Sequence, residues 1–159
     1  MKKLQKPKLK PLKEKDQKEK LAVKKSIAGL GLFATAPIKK GSFIIEYKGP
    51  LLNQEQADNK GGLYLFALGK DWTIDGTARS NTARYINHSC IGTNCEPIQY
   101  AKHVKIKAKR NIKVGEELFY DYGKEYFDEY LKAHCRCAKH AKGKSKAKSK
   151  VKKVTKKQR

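Results

Sequence analysis

The segment Arg84–Cys90 reads Arg-Tyr-Ile-Asn-His-Ser-Cys and holds a guanidinium, a carboxamide, an imidazole, a hydroxyl and a thiol. Buried polar groups need hydrogen-bond partners, so a stretch this polar is unusual in an apolar core. An Asn-His pair by itself would favour a self-satisfied turn. The density of polar groups in this segment indicates instead that it carries chemistry.

Two further segments lie on either side of this one. Glu117–Gly123 reads Glu-Leu-Phe-Tyr-Asp-Tyr-Gly and predicts a strand in which Tyr120 and Tyr122 share one face. Aromatic core packing is the ordinary explanation for such a pair. Upstream, Gly29–Ala34 reads Gly-Leu-Gly-Leu-Phe-Ala, which favours a turn. It matches neither a dinucleotide fingerprint nor a phosphate loop, because a third glycine and a Gly-Lys-Ser/Thr are missing.

The chain has four cysteines, Cys90, Cys95, Cys135 and Cys137. No apolar stretch typical of a secretory signal peptide follows the basic N-terminus, so we expect reduced thiols or a metal site in place of disulfides. Cys135-Arg-Cys137, with His140 close by, is typical of part of a zinc site, but a tetrahedral site needs four ligands. Cys95 is expected to be a small buried residue.

The 159 residues include 38 Lys and Arg against 15 Asp and Glu, a formal net charge of +23. Residues 1–25 carry a net +8 and residues 138–159 a net +11, which leaves +4 for residues 26–137. We therefore predict a basic disordered arm over 1–20, one folded domain over 21–137 and a Lys-rich disordered tail over 138–159. No apolar run approaches the ~18–20 residues of a transmembrane helix.

Short apolar runs bounded by turn residues predict a mostly β fold. Ser42–Tyr47 and Leu63–Leu68 are such runs, and Val104–Ala108 alternates apolar residues with lysines, as a strand with one wet face does. Helix signals are few. Leu51–Ala57 is helix-compatible, and Glu125–His134 spaces its aromatic and aliphatic residues as an amphipathic helix would.

In this order and spacing, these segments resemble the SET-domain family of protein lysine methyltransferases. Arg84–Cys90 matches the family's R-[FY]-x-N-H-S-C segment, and Glu117–Gly123 matches its E-L-x-[FY]-D-Y-G segment. Supporting matches are Gly29–Ala34, Ile74-Asp75 and Asn94–Pro97. The resemblance runs from about Ser26 to Cys137, with residues 124–137 in the place of the post-SET segment and without a Cys-rich pre-SET region.

The resemblance implies small twisted β-sheets, short helices and a C-terminal pseudoknot, in which the Glu117–Tyr122 chain threads the Arg84–Cys90 segment. S-adenosyl-L-methionine is the implied cofactor. It and the target lysine would enter a narrow channel from opposite faces. The implied cofactor contacts are Leu30, Gly31, Tyr64, Arg84, Asn87, His88 and Tyr122.

The same resemblance makes Tyr122 the catalytic tyrosine, with Tyr47 and Tyr120 in the lysine channel. Tyr120 matches a position where the family uses Phe or Tyr as a product switch. A tyrosine there limits further methylation, so mono- and dimethylation are expected. No general base is evident, and methyl transfer to an amine asks instead for alignment, a neutral amine and exclusion of water.

Many family members bind zinc through a C-x-C-x4-C segment together with the cysteine of N-H-S-C. Cys90, Cys135 and Cys137 match three of these ligands, Lys142 stands where the fourth is expected, and His140 is the candidate replacement. Two alternatives stay open. Either these four residues hold zinc, or no zinc binds and a C-terminal helix closes the site by packing.

A lysine-containing protein is the implied substrate, with histones or histone-like DNA-associated proteins as the expected class. Acidic side chains that could recognise a basic peptide are Glu46, Glu55, Asp58, Glu125, Asp128 and Glu129. The alternative is a nucleic-acid-tethered protein, held on DNA by its Lys-rich tails, whose SET domain acts as a binding module. The tails could also serve as a nuclear address or as a substrate for methylation by the chain itself.

The expected location depends on the source. In a eukaryote we expect the nucleus and chromatin. In a bacterium we expect the cytoplasm, or export as an effector. No membrane association is expected in either case.

Overall fold

A computed structural model describes residues 20–133, 135–137, 139 and 140. The predicted arm, apart from residue 20, and the part of the predicted tail beyond residue 140 lie outside the described residues. The strands are β1 (Leu21–Ser26), β2 (Gly29–Ala34), β3 (Phe43–Tyr47), β4 (Leu51–Asn53), β5 (Leu65–Leu68), β6 (Trp72–Asp75), β7 (Asn87–His88), β8 (Cys95–Tyr100), β9 (His103–Ala108) and β10 (Phe119–Tyr120). The helical segments are the α-helix Gln54–Lys60, the 3-10 helix Thr82–Tyr85, the short α-helix Lys124–Tyr126 and the π-helical turn Phe127–Leu131.

The strands form small sheets throughout the described part of the chain. These are the antiparallel hairpin β1–β2, the three-stranded sheets β3-β9-β8 and β4-β6-β5, and the parallel pair β7–β10. The predicted mostly β class with few short helices is confirmed. Among the described residues, no helix has the length and apolar character needed to cross a bilayer.

Strand β9 is the centre of the core sheet. Val104 and Ile106 are fully buried while His103 and Lys105 are exposed, which confirms the predicted alternation. Burying an aliphatic side chain of this size contributes about 1.5–3 kcal/mol. A slip of one residue would carry the buried set to the solvent face, so burial holds the register with β3 and β8.

The segment around β10 runs between the polar segment Arg84–Cys90 and Asn94, which follows it in the chain. Ser89 N–H donates to Tyr120 O (3.2 Å), and Asn94 N–H donates to Phe119 O (3.1 Å). The Asn94 side chain, only 1% exposed, donates to Glu117 O (2.7 Å) and accepts from Phe119 N–H (2.9 Å). This arrangement is the one that the expected pseudoknot requires, and it satisfies a buried amide completely.

Two of the expected elements differ in the N-terminal half. Gly29–Ala34 is a strand and not a turn, because it pairs with β1 along its whole length. Leu51–Ala57 begins as strand β4, and its helix starts only after Asn53. The Asn53 side chain accepts from Gln56 N–H (2.9 Å), while the Gln56 side chain accepts from Asn53 N–H (3.0 Å). This capping box sets where the helix begins.

The C-terminal half also differs in detail from expectation. The predicted strand Glu117–Tyr122 shortens to β10, because Glu117 forms an isolated bridge with Phe33 instead. The predicted amphipathic helix over residues 125–134 is replaced by a short α-helix and a π-helical turn. The aromatic spacing still brings side chains together, since the rings of Tyr126 and Tyr130 lie 5.0 Å apart.

Candidate active site

A cavity of about 1360 Å³ collects the segments singled out in the sequence. Its wall comes from the tip of the β1–β2 hairpin, strand β5, the β7 and β10 segments, and the C-terminal helical residues as far as Cys137. The predicted site residues in this wall are Leu30, Tyr47, Tyr64, Arg84, Asn87, His88, Tyr120 and Tyr122. Gly31 is the predicted contact that does not line the cavity.

Tyrosine rings make up one side of the cavity. The ring centroids of Tyr120 and Tyr122 are 4.7 Å apart, and those of Tyr122 and Tyr126 are 5.3 Å apart. Tyr47 packs against Phe66 at 5.4 Å. The three tyrosines predicted for catalysis and for the lysine channel therefore line the same cavity, and Tyr126 extends their wall.

Burial controls the charge state of these tyrosines. The pKa values of Tyr47, Tyr120 and Tyr122 all lie well above the ordinary range, chiefly because burial disfavours the phenolate. The Tyr122 hydroxyl donates to Ile86 O (2.6 Å), and the Tyr47 hydroxyl donates to Tyr64 O (2.9 Å). The tyrosine hydroxyls are thus uncharged hydrogen-bonding groups at neutral pH, and none of them is suited to act as a general base.

The Glu117 carboxylate joins the β1–β2 hairpin to the β7 segment. Its Oε2 accepts from the Ser26 hydroxyl (2.8 Å), and its Oε1 accepts from Asn87 Nδ2–H (2.8 Å). Asn87 Nδ2 also donates to Leu30 O (3.0 Å). Both amide hydrogens of Asn87 are used in this way, so only its Oδ1 can interact with a molecule in the cavity.

Gly31 explains how that carboxylate fits. A Cβ at this position would overlap Glu117 Oε1 and the carboxyl carbon behind it. The second glycine of Gly-Leu-Gly is therefore needed for close packing of a charged side chain, and not for a turn. Glu117 stands in one of the sequence motifs, but no role is predicted for it there, because only the folded chain brings it to position 31.

Arg84 is a charged residue of the cavity wall. Its guanidinium is 3.7 Å from the centre of the Tyr64 ring, and its Nη1 donates to Thr77 O. Arg84 Nε is buried and has no hydrogen-bond partner among the described residues. Leaving a buried donor unpaired is costly, so this nitrogen is available for an acceptor on a bound molecule.

Cys90, Cys135, Cys137 and His140 converge at the edge of the cavity, and their ligand atoms all lie within 4.8 Å of one another. Cys90 Sγ is 4.0 Å from Cys135 Sγ and 3.6 Å from His140 Nδ1, and Cys137 Sγ is 3.3 Å from His140 Nδ1. Zinc–sulfur bonds of about 2.3 Å at tetrahedral angles put sulfurs about 3.8 Å apart. The donor set therefore fits a tetrahedral zinc ion.

Cys95 lies apart from this four-residue cluster. It is 1% exposed, and its thiol donates to Phe119 O at 3.3 Å. Burial raises its pKa to about 12. It is the small buried residue that the sequence predicts.

His88 lies between the cluster and Tyr122. Its Nδ1 accepts from Tyr122 N–H at 3.2 Å, and its Nε2 is 3.0 Å from Cys90 Sγ. Its ring meets that of Tyr122 edge-on at 5.4 Å and that of Phe127 at 5.5 Å. Burial lowers the pKa of His88, against the opposing effect of Asp121, so the imidazole is neutral at neutral pH.

The cavity wall contains one of the six acidic side chains that were predicted to recognise a basic peptide. Of the six, Glu125 lines the cavity. Asp128 is held in an ion pair with Lys124 at 2.5 Å. Asp121, which was not among them, lines the cavity with a side chain that is 67% exposed.

Comparison with known proteins identifies the family. The SET domain family model matches residues 29–123, which is more than half of the chain. This chain belongs to the SET domain family.

Two curated relatives are similar to this chain in sequence. Histone-lysine N-methyltransferase trr of Drosophila melanogaster is 42% identical over 123 residues, covering 70% of this chain and 5% of that protein. Histone-lysine N-methyltransferase 2D of Homo sapiens is 37% identical over 123 residues, covering 70% of this chain and 2% of that protein. The chain thus spans only a small fraction of the length of these relatives.

Solved structures share the fold. The crystal structure of the Chaetomium thermophilum polycomb repressive complex 2 matches with a TM-score of 0.58 at 31% identity, covering 65% of this chain and 15% of that chain. A structure of ctPRC2 in an autoinhibited conformation, bound to S-adenosylmethionine, matches with a TM-score of 0.56 at 31% identity, covering 65% of this chain and 15% of that chain.

SET methyltransferases use S-adenosyl-L-methionine as cofactor, and the cavity fits this molecule. The unpaired Arg84 Nε is a donor for an anionic or polar group. The Asn87 Oδ1 is an acceptor for a cationic one. The faces of the tyrosine rings favour a positive charge such as a sulfonium. The chain therefore offers complementary groups for the amino-acid part and the sulfonium ion of the cofactor.

Proposed function

We propose that this chain is a protein-lysine N-methyltransferase that transfers a methyl group from S-adenosyl-L-methionine to the ε-amine of a lysine. The observation that carries the proposal is the position of Tyr122. Its ring lies in the cavity wall beside Tyr120, and its hydroxyl is held by Ile86 O at 2.6 Å. The histone-lysine methyltransferases among the relatives support the same reaction.

When bound, the cofactor supplies an electrophilic methyl group on a sulfonium sulfur. The residues of the chain hold and orient the partners. Arg84 Nε and Asn87 Oδ1 contribute polar contacts, and the carbonyl of Leu30 lies next to Asn87 Nδ2. His88 contributes by keeping the Tyr122 main chain in place. Gly31 acts indirectly, by leaving room for the carboxylate that orients Asn87.

A lysine must lose its proton before its amine can accept a methyl group. Tyr47, Tyr120 and Tyr122 form a weakly hydrated wall in which a charged ammonium is disfavoured, so the lysine pKa falls there. None of the three is itself a base, because their own pKa values are raised. The proton is released to water before the amine enters, and the rings then align it and exclude solvent.

Tyr120 is the residue proposed to limit the degree of methylation. Its side chain is 7% exposed and packs directly on Tyr122. A hydroxyl at this point fills space that a methylated amine would need. Mono- and dimethylation are therefore the proposed products.

The proposed substrate is a lysine in a basic segment of a histone or histone-like protein. Asp121 and Glu125 line the cavity and supply negative charge near its opening. Relatives named for histones support this substrate class. They also support a chromatin location if the source is a eukaryote.

We also propose that Cys90, Cys135, Cys137 and His140 bind zinc. Three thiolates and one imidazole match a structural site with no open position. The ion would tie the end of the described chain to the β7 segment. In this way it would stabilise the cavity wall without taking part in the reaction.

Transfer of tritium from labelled S-adenosyl-L-methionine to core histones tests the proposed activity. Tyr122→Phe should lower kcat/KM by about 100-fold, since it removes the hydroxyl oxygen that orients the reacting groups, and a small misplacement of those groups costs about that much. Tyr100→Phe is the matched control, because Tyr100 is 43% exposed and lies outside the cavity wall. Absence of label on histones, on other DNA-binding proteins and on the chain itself would contradict the proposal.

A further inference from the structure

His88 makes one contact with each of two neighbouring sites. On one side its Nδ1 accepts from Tyr122 N–H at 3.2 Å. On the other its Nε2 is 3.0 Å from Cys90 Sγ. The side chain is only 5% exposed, so the folded chain covers most of the imidazole. The His88 imidazole thus connects the cluster of three cysteines and one histidine to the main chain of Tyr122, the proposed catalytic tyrosine.

The geometry decides which nitrogen carries the hydrogen. Tyr122 N–H is a donor, so Nδ1 must present its lone pair. A neutral imidazole then carries its hydrogen on Nε2. The other candidate partner of Nδ1, Asp121 Oδ1, is 3.7 Å away, which is beyond hydrogen-bonding distance. Nε2–H is therefore the donor, and Cys90 Sγ is the acceptor.

A thiolate that binds a metal is a good acceptor for such a bond. Outer groups that hydrogen-bond to ligands orient them and tune the metal, and their loss typically lowers metal affinity or activity about 10–100-fold. A second contact runs in parallel, because Phe127 stacks on His140 at 5.6 Å and meets His88 at 5.5 Å. Of the four proposed ligands, Cys90 therefore contacts His88 directly, and His140 is connected to it through the Phe127 ring.

We propose that His88 is a positioning residue that couples metal binding at the Cys90–His140 cluster to the placement of Tyr122. Loading the cluster orders Cys90, the Nε2–H···S bond orients the imidazole, and Nδ1 then holds the Tyr122 amide. The inference rests on the proposed function for its catalytic half. The contact with Cys90 stands on the cluster alone.

Two variants separate the two contacts of His88. In His88→Asn, the side-chain oxygen takes the place of Nδ1 and keeps an acceptor for Tyr122 N–H, while the donor to Cys90 is lost. In His88→Gln, the longer amide places a donor near Cys90 and the acceptor for Tyr122 is lost. His103→Asn is the matched control, because His103 is exposed and bonds Glu46 away from the cavity.

Metal affinity is the first readout, measured on the full chain with Zn²⁺ and Co²⁺ in competition with a chelator. His88→Asn should weaken binding about 10-fold and shift the Co²⁺–thiolate charge-transfer band. His88→Gln and His103→Asn should stay close to the parent chain. Unchanged affinity and an unchanged Co²⁺ spectrum in His88→Asn would overturn the proposal.

Kinetics provide the second readout. His88→Gln should lower kcat with less effect on the KM for S-adenosyl-L-methionine, since the Tyr122 amide loses its acceptor. Chelation should lower kcat in the parent chain and in His103→Asn, and less so in His88→Asn, where the coupling is already broken. An equal effect of chelation in all of these chains would contradict the coupling.

The unsubstituted chain gives a third test in case the variants do not fold. Long-range ¹H–¹⁵N spectra of the zinc-loaded chain should show His88 with hydrogen on Nε2 and a lone pair on Nδ1. Hydrogen on Nδ1 would overturn the proposal. If the chain transfers no methyl group, the proposed function fails, while the metal and NMR readouts still decide the contact between His88 and Cys90.

Discussion

The hydroxyl of Tyr120 belongs to a ring that is 7% exposed and packs at 4.7 Å on Tyr122. Removing it leaves space for a bulkier amine without changing the aromatic wall. We predict that Tyr120→Phe raises the methylation state of the product, from mono- and dimethyl towards trimethyl lysine. Mass spectrometry of a methylated peptide measures this, with Tyr100→Phe as control. An unchanged product distribution would show that this position is not the switch.

Glu117 acts on the cofactor contacts through Asn87. Glu117→Ala leaves Asn87 Nδ2–H and the Ser26 hydroxyl without their carboxylate, a loss of about 1.5–3 kcal/mol per charged hydrogen bond. We predict that it raises the KM for S-adenosyl-L-methionine at least about 10-fold, with a smaller effect on kcat. Glu117→Gln should be milder, because one oxygen acceptor remains.

Glu116→Gln is the matched control for this experiment. The neighbouring carboxylate lies outside the cavity wall and pairs with Arg110 at 2.7 Å. Equal KM values for Glu117→Ala and the parent chain would remove Glu117 from the cofactor site.

At the scale of elements, the tyrosines of β3, β10 and the C-terminal helical segment form one buried wall. Their pKa values are raised in the folded chain, that of Tyr126 to about 12. An unfolded tyrosine ionises near pH 10. The stability that these neutral tyrosines contribute is therefore fully present below about pH 10. It is lost as the pH rises further, because ionisation then favours the unfolded chain.

We expect the midpoint of thermal unfolding to be flat between about pH 7 and 9 and to fall above pH 10. Absorbance at 295 nm should show a group of tyrosines that titrates only as the chain unfolds. Simultaneous titration of all tyrosines in the folded chain would contradict the burial of this wall.

The π-helical turn is followed by Cys135, Cys137 and His140 of the proposed zinc cluster. We predict one zinc ion per chain by elemental analysis. Binding with free zinc 100-fold above Kd stabilises by about 2.7 kcal/mol, so chelation should lower the unfolding midpoint by roughly 10 °C. Cys137→Ser should abolish this shift, whereas Cys95→Ala should keep it, because Cys95 lies outside the cluster. A metal-free chain with an unchanged midpoint would favour closure by packing alone.

At the scale of the whole molecule, the charge of +23 is concentrated in terminal segments that lie mostly outside the described residues. A chain of residues 20–140 keeps every residue of the cavity and the cluster. We predict that it retains methyl transfer to a short histone peptide with little change in kcat. Its affinity for DNA, measured at several salt concentrations, should fall sharply and lose most of its salt dependence. Loss of methyl transfer would indicate that the terminal segments are part of the catalytic unit.

The pattern of residues along the chain was enough to predict the β class and the alternation of strand β9, and it singled out the two motifs that contribute Asn87, His88, Tyr120 and Tyr122 to the cavity wall. These features depend on local spacing: period-two burial, turn residues, and motifs whose members are close in sequence. Glu117 was missed as a functional residue because its partners Ser26, Gly31 and Asn87 are distant in sequence. No local pattern marks a close approach of that kind.

Asn87, His88, Tyr120 and Tyr122 all stand in two short motifs, so the order of residues along the chain was enough to make them candidate site residues. Which of them contact one another could be read only from the folded chain. The parallel pairing of β7 with β10 places His88 between Tyr122 and Cys90, and the C-terminal residues contribute Cys135, Cys137 and His140 to the cluster. The physical reason is that hydrogen bonds and metal-ligand geometry depend on distances in space, which are set by pairing between segments far apart in the chain.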